Sequence, residues 1–409
     1  MGGRWTFRAL AVLVLAGGLA IAFGQQGATV ARSINKPLDQ STSFDEPFND
    51  YRDTGYLAGR DVRDGENPYD HVAFVQRHPT SHELDLYGPQ WFLVQVPLSL
   101  LSFVAAKVVW VALLLVGALL LAHFARQLAR RPRDVWADLL LAGLILGSAA
   151  GKNAIFLGQP VMWYALAVVV VLAAGDKRPW LGGAALAVAM VKPQVGVLLA
   201  LLIGFGFGWW RLVLRGVVVT IAAALVPLLF IVSAAGGPRD FMRSVTDNAS
   251  YVSDLVAEQA TEPLAERLDV VNTSAKLLDI APTTGWLAAE LVVAIAGGIV
   301  GLRRRHRAVG DDVGTDVAAM SLLAVTLLVG AFHPLYDALL LFIPLVLAWA
   351  WWRDGRRISP LLWAVTALLA VPLVYFPPVQ TTLEKLGASP TQSRTVSSIA
   401  LTLAFVLAV

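Results

Sequence analysis

Three aspartates fall within nine residues in the run Phe44-Asp45-Glu46-Pro47-Phe48-Asn49-Asp50-Tyr51-Arg52-Asp53. An acidic run of this kind is either a solvated loop or the seat of a general base. A carboxylate suits the second role when partial burial lifts its pKa toward the working pH. Two further polar groups follow, Gly65-Glu66-Asn67-Pro68-Tyr69-Asp70 and Tyr87-Gly88-Pro89-Gln90; turn chemistry by itself accounts for Asn-Pro and Gly-Pro. Gly158-Gln159-Pro160 and Lys192-Pro193-Gln194 interrupt apolar sequence. A lysine there either snorkels to a surface or offers a fixed cation to an anionic group such as a lipid phosphate. Last comes His333-Pro334-Leu335-Tyr336-Asp337, which gathers His, Tyr and Asp within five residues.

The elements that must position these groups are apolar helices. Of the 409 residues, 57% are hydrophobic and 15% charged, against about 25% charged in soluble proteins, and the mean hydropathy is +0.65. The charge is segregated into short loops, as insertion into hydrocarbon demands. Apolar runs near 5–23, 105–124, 136–156, 160–174, 181–191, 194–208, 212–235, 285–301, 316–332, 335–351, 359–376 and 395–409 predict an all-α, polytopic bundle of about 12 spans. The first run is read as an uncleaved helix, and 181–191 with 194–208 as a hairpin of two half-length helices. The stretch 89–103, which contains Pro97, is read as interfacial or re-entrant.

Basic loops orient the bundle by the positive-inside rule. Arg126, Arg130, Arg131 and Arg133, then Lys177 and Arg178, Arg211 and Arg215, Arg303 to Arg305 with Arg307, and Arg353, Arg356 and Arg357 all fall on one side. The N-terminus lies with them in the cytoplasm of a cell whose plasma membrane holds the chain. The acidic stretches 25–88 and 236–284 become two long outer loops carrying amphipathic helices. One membrane-embedded domain, 1–409, is expected. Asp50, Gln159, Lys192 and His333 then share the outer face although they are far apart in sequence. Acid–base groups and cations at a bilayer edge suit an enzyme acting on a lipid phosphate. The net charge of +3 is scattered through loops and does not suggest nucleic acid, and the absence of cysteine excludes disulfides and thiolate metal sites.

The order of motifs resembles the bacterial polyprenyl-phosphate-mannose-dependent mannosyltransferases, within the membrane-embedded C-type glycosyltransferase superfamily. The likeness rests on Asp50-Tyr51-Arg52-Asp53, Gly65-Glu66-Asn67-Pro68-Tyr69, Tyr87-Gly88-Pro89, Gly158-Gln159, Lys192-Pro193 and Tyr336-Asp337, and covers roughly residues 5–350. Gly88 stands where the family usually has proline, and Asp50 abuts Tyr51 where the family often spaces them, which leaves Asp45 and Asp53 as rivals for the base.

The resemblance implies an inverting hexosyltransferase. It would move a sugar, commonly mannose, from a polyprenyl monophosphate to a glycolipid or polysaccharide, with membrane lipids around it and no metal or other cofactor. By position it casts Asp50 as base and Arg52, Lys192 and His333 as donor-phosphate partners. Tyr51, Asn67, Tyr69, Gln159, Tyr336 and Asp337 become sugar or acceptor contacts. Two other readings share the need for cations near a phosphate. One is a transporter or flippase of a lipid-linked glycan. The other is a lipid-diphosphate-dependent polymerase or ligase using Arg239, Arg243 and Arg267 of the second loop.

Overall fold

The computed structural model describes residues 2–23, 33–41, 46–79, 87–261, 268, 273, 284–330, 334–374, 377–387 and 390–409. All regular elements among them are helical. The first half runs α1 (Gly2–Phe23), α2 (Ala58–Asp64), α3 (His71–Arg77), α4 (Phe92–Ser99), α5 (Phe103–Leu128), α6 (Val135–Gly147), α7 (Ala149–Leu157), α8 (Val161–Ala174), α9 (Pro179–Ala189) and α10 (Pro193–Leu201). The second half runs α11 (Trp210–Ala234), α12 (Pro238–Thr261), α13 (Thr284–Val309), α14 (Val317–Val329), α15 (Phe342–Arg353), α16 (Pro360–Val374), α17 (Pro377–Lys385) and α18 (Pro390–Ala408).

The apolar runs become helices where expected, but they are shorter and more broken than about 12 full spans require. Among the described residues, α5, α11 and Leu335–Arg353 are long and apolar enough to cross a membrane. Two bent pairs raise the total to at most five. Several other expected spans fall on shorter apolar helices such as Thr6–Ala22, Pro179–Ala189 and Val317–Val329. A helix the length of α14, 13 residues, rises about 20 Å against a hydrocarbon core of roughly 30 Å. The expected span 136–156 is α6 and α7, which meet at 72°. Ser148 makes the break. Its backbone is extended (φ −70°, ψ 158°), and its hydroxyl accepts from Gly151 N at 3.0 Å to start a new helix. The expected half-length hairpin is α9 and α10, turning at Met190–Lys192.

Burial sorts the long helices. Leu335–Arg353 forms the centre, with 78% of its apolar window inside the protein, whereas α11 buries 17% and turns Leu214, Ile221, Leu229 and Phe230 outward. A helix apolar on its exposed face has lipid as its solvent, and the chain is a membrane protein. The basic loops gather at one end, where Arg130 pairs with Asp312, Arg131 with Asp354 at 2.8 Å and Arg305 with Asp316 at 2.7 Å.

Helix α1 lies along α6 at backbone contact distance. A Cβ on Gly18 would sit 2.1 Å from the Gly143 carbonyl oxygen, and one on Gly143 would sit 2.6 Å from Leu15 Cα. Only glycine permits this approach, the device by which apolar helices associate where lipid removes the hydrophobic drive. Gly17, one residue away, has no neighbour within 4 Å of the same position. Gly18→Ala therefore lowers stability by about 1–3 kcal/mol, while Gly17→Ala leaves it unchanged, as read by thermal unfolding of the detergent-solubilised protein.

Candidate active site

The site is built where α7 stops. Gly158 closes that helix in the left-handed region, φ +76°, a conformation glycine adopts without strain. Two groups hold the turn: Phe48 N donates to Phe156 O at 2.6 Å, and Trp110 Nε1 donates to Gly158 O at 2.7 Å. Tyr51 stacks on Trp110, with centroids 5.2 Å apart and rings 8° from parallel. A Cβ on Gly158 would meet Tyr51 Cβ at 2.6 Å, so the short side of the turn is what lets the two segments meet. The chain then enters a π-helix, Tyr51–Leu57, every residue of which is buried. That wound-out geometry is rare and concentrates at functional sites.

Asp50 precedes this π-helix and is 7% exposed. Its Oδ2 accepts from Gln159 Nε2 at 2.5 Å, and Gln159 Oε1 accepts from the Tyr87 hydroxyl at 2.6 Å. Burial pushes the Asp50 carboxyl up from 3.8 to about 6. The Gln159 hydrogen bond opposes that rise, neighbouring Asp53 adds to it, and the positive charges of Lys192 and Arg52 pull it back. Burial drives the adjacent Tyr51 phenol well above its usual range.

The neighbouring aspartate is held differently. Arg52 grips Asp53 through two bonds, Nε to Oδ1 at 2.6 Å and Nη2 to Oδ2 at 3.0 Å, and donates Nη1 to Ser41 O at 2.7 Å. The side chains of both are fully buried. Asp53 is thus neutralised by a bidentate partner. Asp50 faces an amide.

A second buried charge stands at the tip of the α9–α10 hairpin. Lys192 Nζ lies 2.7 Å and 2.9 Å from the two oxygens of Asp337. The Tyr164 hydroxyl of α8 donates to the same carboxylate. The rings of Tyr164 and Tyr336 lie 5.3 Å and 4.9 Å from the ammonium, so both rings supplement the carboxylate. Gly88 N donates to Val191 O at 2.9 Å, which fastens the Tyr87 turn to this tip. Tyr69 OH donates to Tyr87 O at 2.6 Å, Asn67 Oδ1 accepts from Tyr69 N at 3.0 Å, and Asn67 Nδ2 donates to Ser244 Oγ of α12 at 3.1 Å.

The structure therefore brings together Asp50, Tyr51, Arg52, Asp53, Gln159, Lys192, Tyr336 and Asp337, with Asn67 and Tyr69 joined through Tyr87. Asp45 and His333 lie outside the described residues. Sequence reasoning missed the parts played by Tyr164 and Tyr87. Tyr164 sits in an otherwise apolar helix, and its single hydroxyl in that run was the available signal; Tyr87 was read as part of a turn and of the Tyr87-Gly88-Pro89 motif, with no role of its own. Lys107 was also missed. It is 1% exposed and donates to the carbonyls of Ser33 and, at 2.8 Å, Lys36, tying the first long loop to α5. Among the described residues no group of three or more His, Cys, Asp or Glu is arranged to hold a metal ion.

Residues 86–331 match the family model of glycosyltransferase family 87. No curated protein and no solved structure matches the chain. The matched stretch holds Tyr87, Gln159, Tyr164 and Lys192; Asp50 and Asp337 flank it.

Breaking the buried ion pair from one side leaves an uncompensated charge. Asp337→Ala lowers the unfolding free energy by about 3–5 kcal/mol, and the double change Lys192→Met with Asp337→Leu restores it. Thermal unfolding of the purified variants reads both effects.

Proposed function

The chain belongs to glycosyltransferase family 87, and from that premise we propose that it is an inverting transferase moving mannose from a polyprenyl monophosphate to a glycolipid or polysaccharide acceptor at the outer face of the plasma membrane. The observation that carries this reading is Asp50. It is a buried carboxylate hydrogen-bonded to the Gln159 amide, with its pKa raised to about 6 and within the field of Lys192.

The chemistry follows from that placement. The acceptor hydroxyl gives its proton to Asp50 Oδ as its oxygen attacks the anomeric carbon. The bond from that carbon to the phosphate oxygen breaks, and its electron pair leaves with the lipid phosphate. Attack opposite the departing group inverts the configuration. The phosphate gains negative charge, which the preorganised cations Lys192 and Arg52 stabilise in a partly water-excluded site. Their carboxylate partners hold them in place before substrate arrives. Gln159 orients the base, and Tyr87 orients Gln159. The polyprenyl chain stays among the apolar helices.

The transfer rate depends on the ionised base, and folding depends on the same proton with the opposite sign. A carboxyl raised from 3.8 to about 6 in the fold stabilises the protein fully below the lower value, and that contribution is lost as pH rises through the upper one. Activity therefore climbs about tenfold per unit toward pH 6 and levels above it, while stability falls across the same interval. Asp50→Asn abolishes transfer from a polyprenyl-phosphate mannose donor and, at pH 7, stabilises the fold by on the order of 1–3 kcal/mol. Radiolabel transfer and thermal unfolding measure the two. Undiminished transfer by Asp50→Asn would refute the assignment.

A further inference from the structure

The first long loop and α12 flank an open cavity of about 600 Å³ whose lining does not include Asp50. That lies within the range of roughly 300–1,000 Å³ typical of small-molecule sites. One wall is the Glu66–Arg77 stretch; the other is α12 from Asp240 to Tyr251. Asn67 spans the two walls through its bond to Ser244.

The lining has a definite chemical character. Its carboxylates are Glu66, Asp70, Asp240 and Asp247, against the guanidiniums of Arg77 and Arg243. Arg77 is shared between Asp61, at 2.6 Å and 3.1 Å, and Glu66, at 3.4 Å, and the exposed Arg243 lies 3.8 Å from Asp247, so four lining carboxylates face two guanidiniums. Burial holds the His71 imidazole below its usual pKa, against the opposing pull of Asp70. The cavity is therefore rich in hydrogen-bond acceptors and net negative, and a phosphate or uronate would be repelled. Tyr251 stacks on His71 with centroids 4.5 Å apart and is 45% exposed. A braced, half-open aromatic ring offers an electron-rich face to C–H groups.

This cavity is also wired to the proposed base. Asn67 bonds Tyr69, Tyr69 bonds the Tyr87 carbonyl, Tyr87 bonds Gln159, and Gln159 bonds Asp50. Tyr69, Tyr87 and Gln159 thus stand between a molecule seated against Asn67 and the point of proton removal.

We propose that the cavity between the Glu66–Arg77 stretch and α12 binds the non-reacting sugar residues of an uncharged oligosaccharide acceptor, with Tyr251 as stacking platform and Asp247 and Asp240 as acceptors for sugar hydroxyls. The role as acceptor site rests on the transferase reading; the binding of neutral glycan does not. The division of labour is electrostatic. The anionic donor goes to the buried, carboxylate-held cations Lys192 and Arg52, and the neutral acceptor goes to the acidic cavity.

The test is saturation-transfer NMR on the full chain in detergent micelles, without donor, using α-1,6-mannotriose, maltotriose and trigalacturonate as probes. At least one neutral trisaccharide binds saturably, and trigalacturonate binds at least about tenfold more weakly. Tyr251→Ala and Asp247→Lys each weaken the neutral probe by roughly tenfold or more, with unfolding temperatures equal to that of the unmodified protein. Asp247→Asn, which keeps an acceptor oxygen, loses less than Asp247→Lys. Asp50→Asn binds the neutral probe normally. The same trisaccharide on an octyl chain separates the two sources of such a glycan: equal affinity marks a free or polymeric end, tighter binding a glycolipid. No saturable binding of either neutral probe, equal binding by the folded Tyr251 and Asp247 variants, or preference for trigalacturonate overturns the inference. If neutral glycan binds but the unmodified protein transfers no sugar from any lipid-linked donor, the transferase reading fails and the glycan site stands.

Discussion

A lysine buried among apolar helices cannot remain there alone, and much of this architecture follows from how Lys192 is compensated. Its side chain is 6% exposed, and its ammonium meets both oxygens of Asp337, whose side chain is fully buried. An isolated charge in such surroundings costs several kcal/mol, so the hairpin tip of α9 and α10 is bound to the segment opening Leu335–Arg353. Tyr164 completes the carboxylate's coordination from α8. Three parts of the chain, spread over more than 170 residues, are thereby drawn to one point. The Tyr87 turn joins them through the Gly88–Val191 bond.

The second arrangement is the treatment of neighbouring carboxylates. Asp53 receives a guanidinium; Asp50, three residues earlier, receives an amide. Low-dielectric surroundings then act on Asp50 without a tight counter-ion to offset them, and its pKa rises. The π-helix makes this contrast available, since its wider turn changes which side chains face the same way. Glycine at position 158 and stacking of Tyr51 on Trp110 keep the geometry in place.

The ends of the molecule have different electrostatic tasks. Arginines meet aspartates at one end in the pairs Arg130–Asp312, Arg131–Asp354 and Arg305–Asp316. Elsewhere Lys192 and Arg52 are buried together with their aspartate partners, while four carboxylates and two guanidiniums line an open cavity beside α12.

Apolar patterning was legible in the sequence, because exclusion of charge from hydrocarbon leaves a linear trace. It placed the helices, the α9–α10 hairpin and the order of the polar segments. Span number was less legible: hydropathy registers apolarity and not continuity, so the break at Ser148 and the short α14 were invisible to it. The shared neighbourhood of Asp50, Gln159 and Lys192 was foreseen from alternating loops, since helices reverse direction at each one. What no local reading could decide was which carboxylate is which. Asp50 and Asp53 are the same residue type in one short run; their difference comes from Gln159, 109 residues away, and from Arg52 turning to one side. Helix formation depends on neighbours in sequence, whereas a pKa depends on whatever the fold brings within a few ångströms. The membrane-helical character of this protein was therefore written along the chain, and the different surroundings of Asp50 and Asp53 were decided only by tertiary contact.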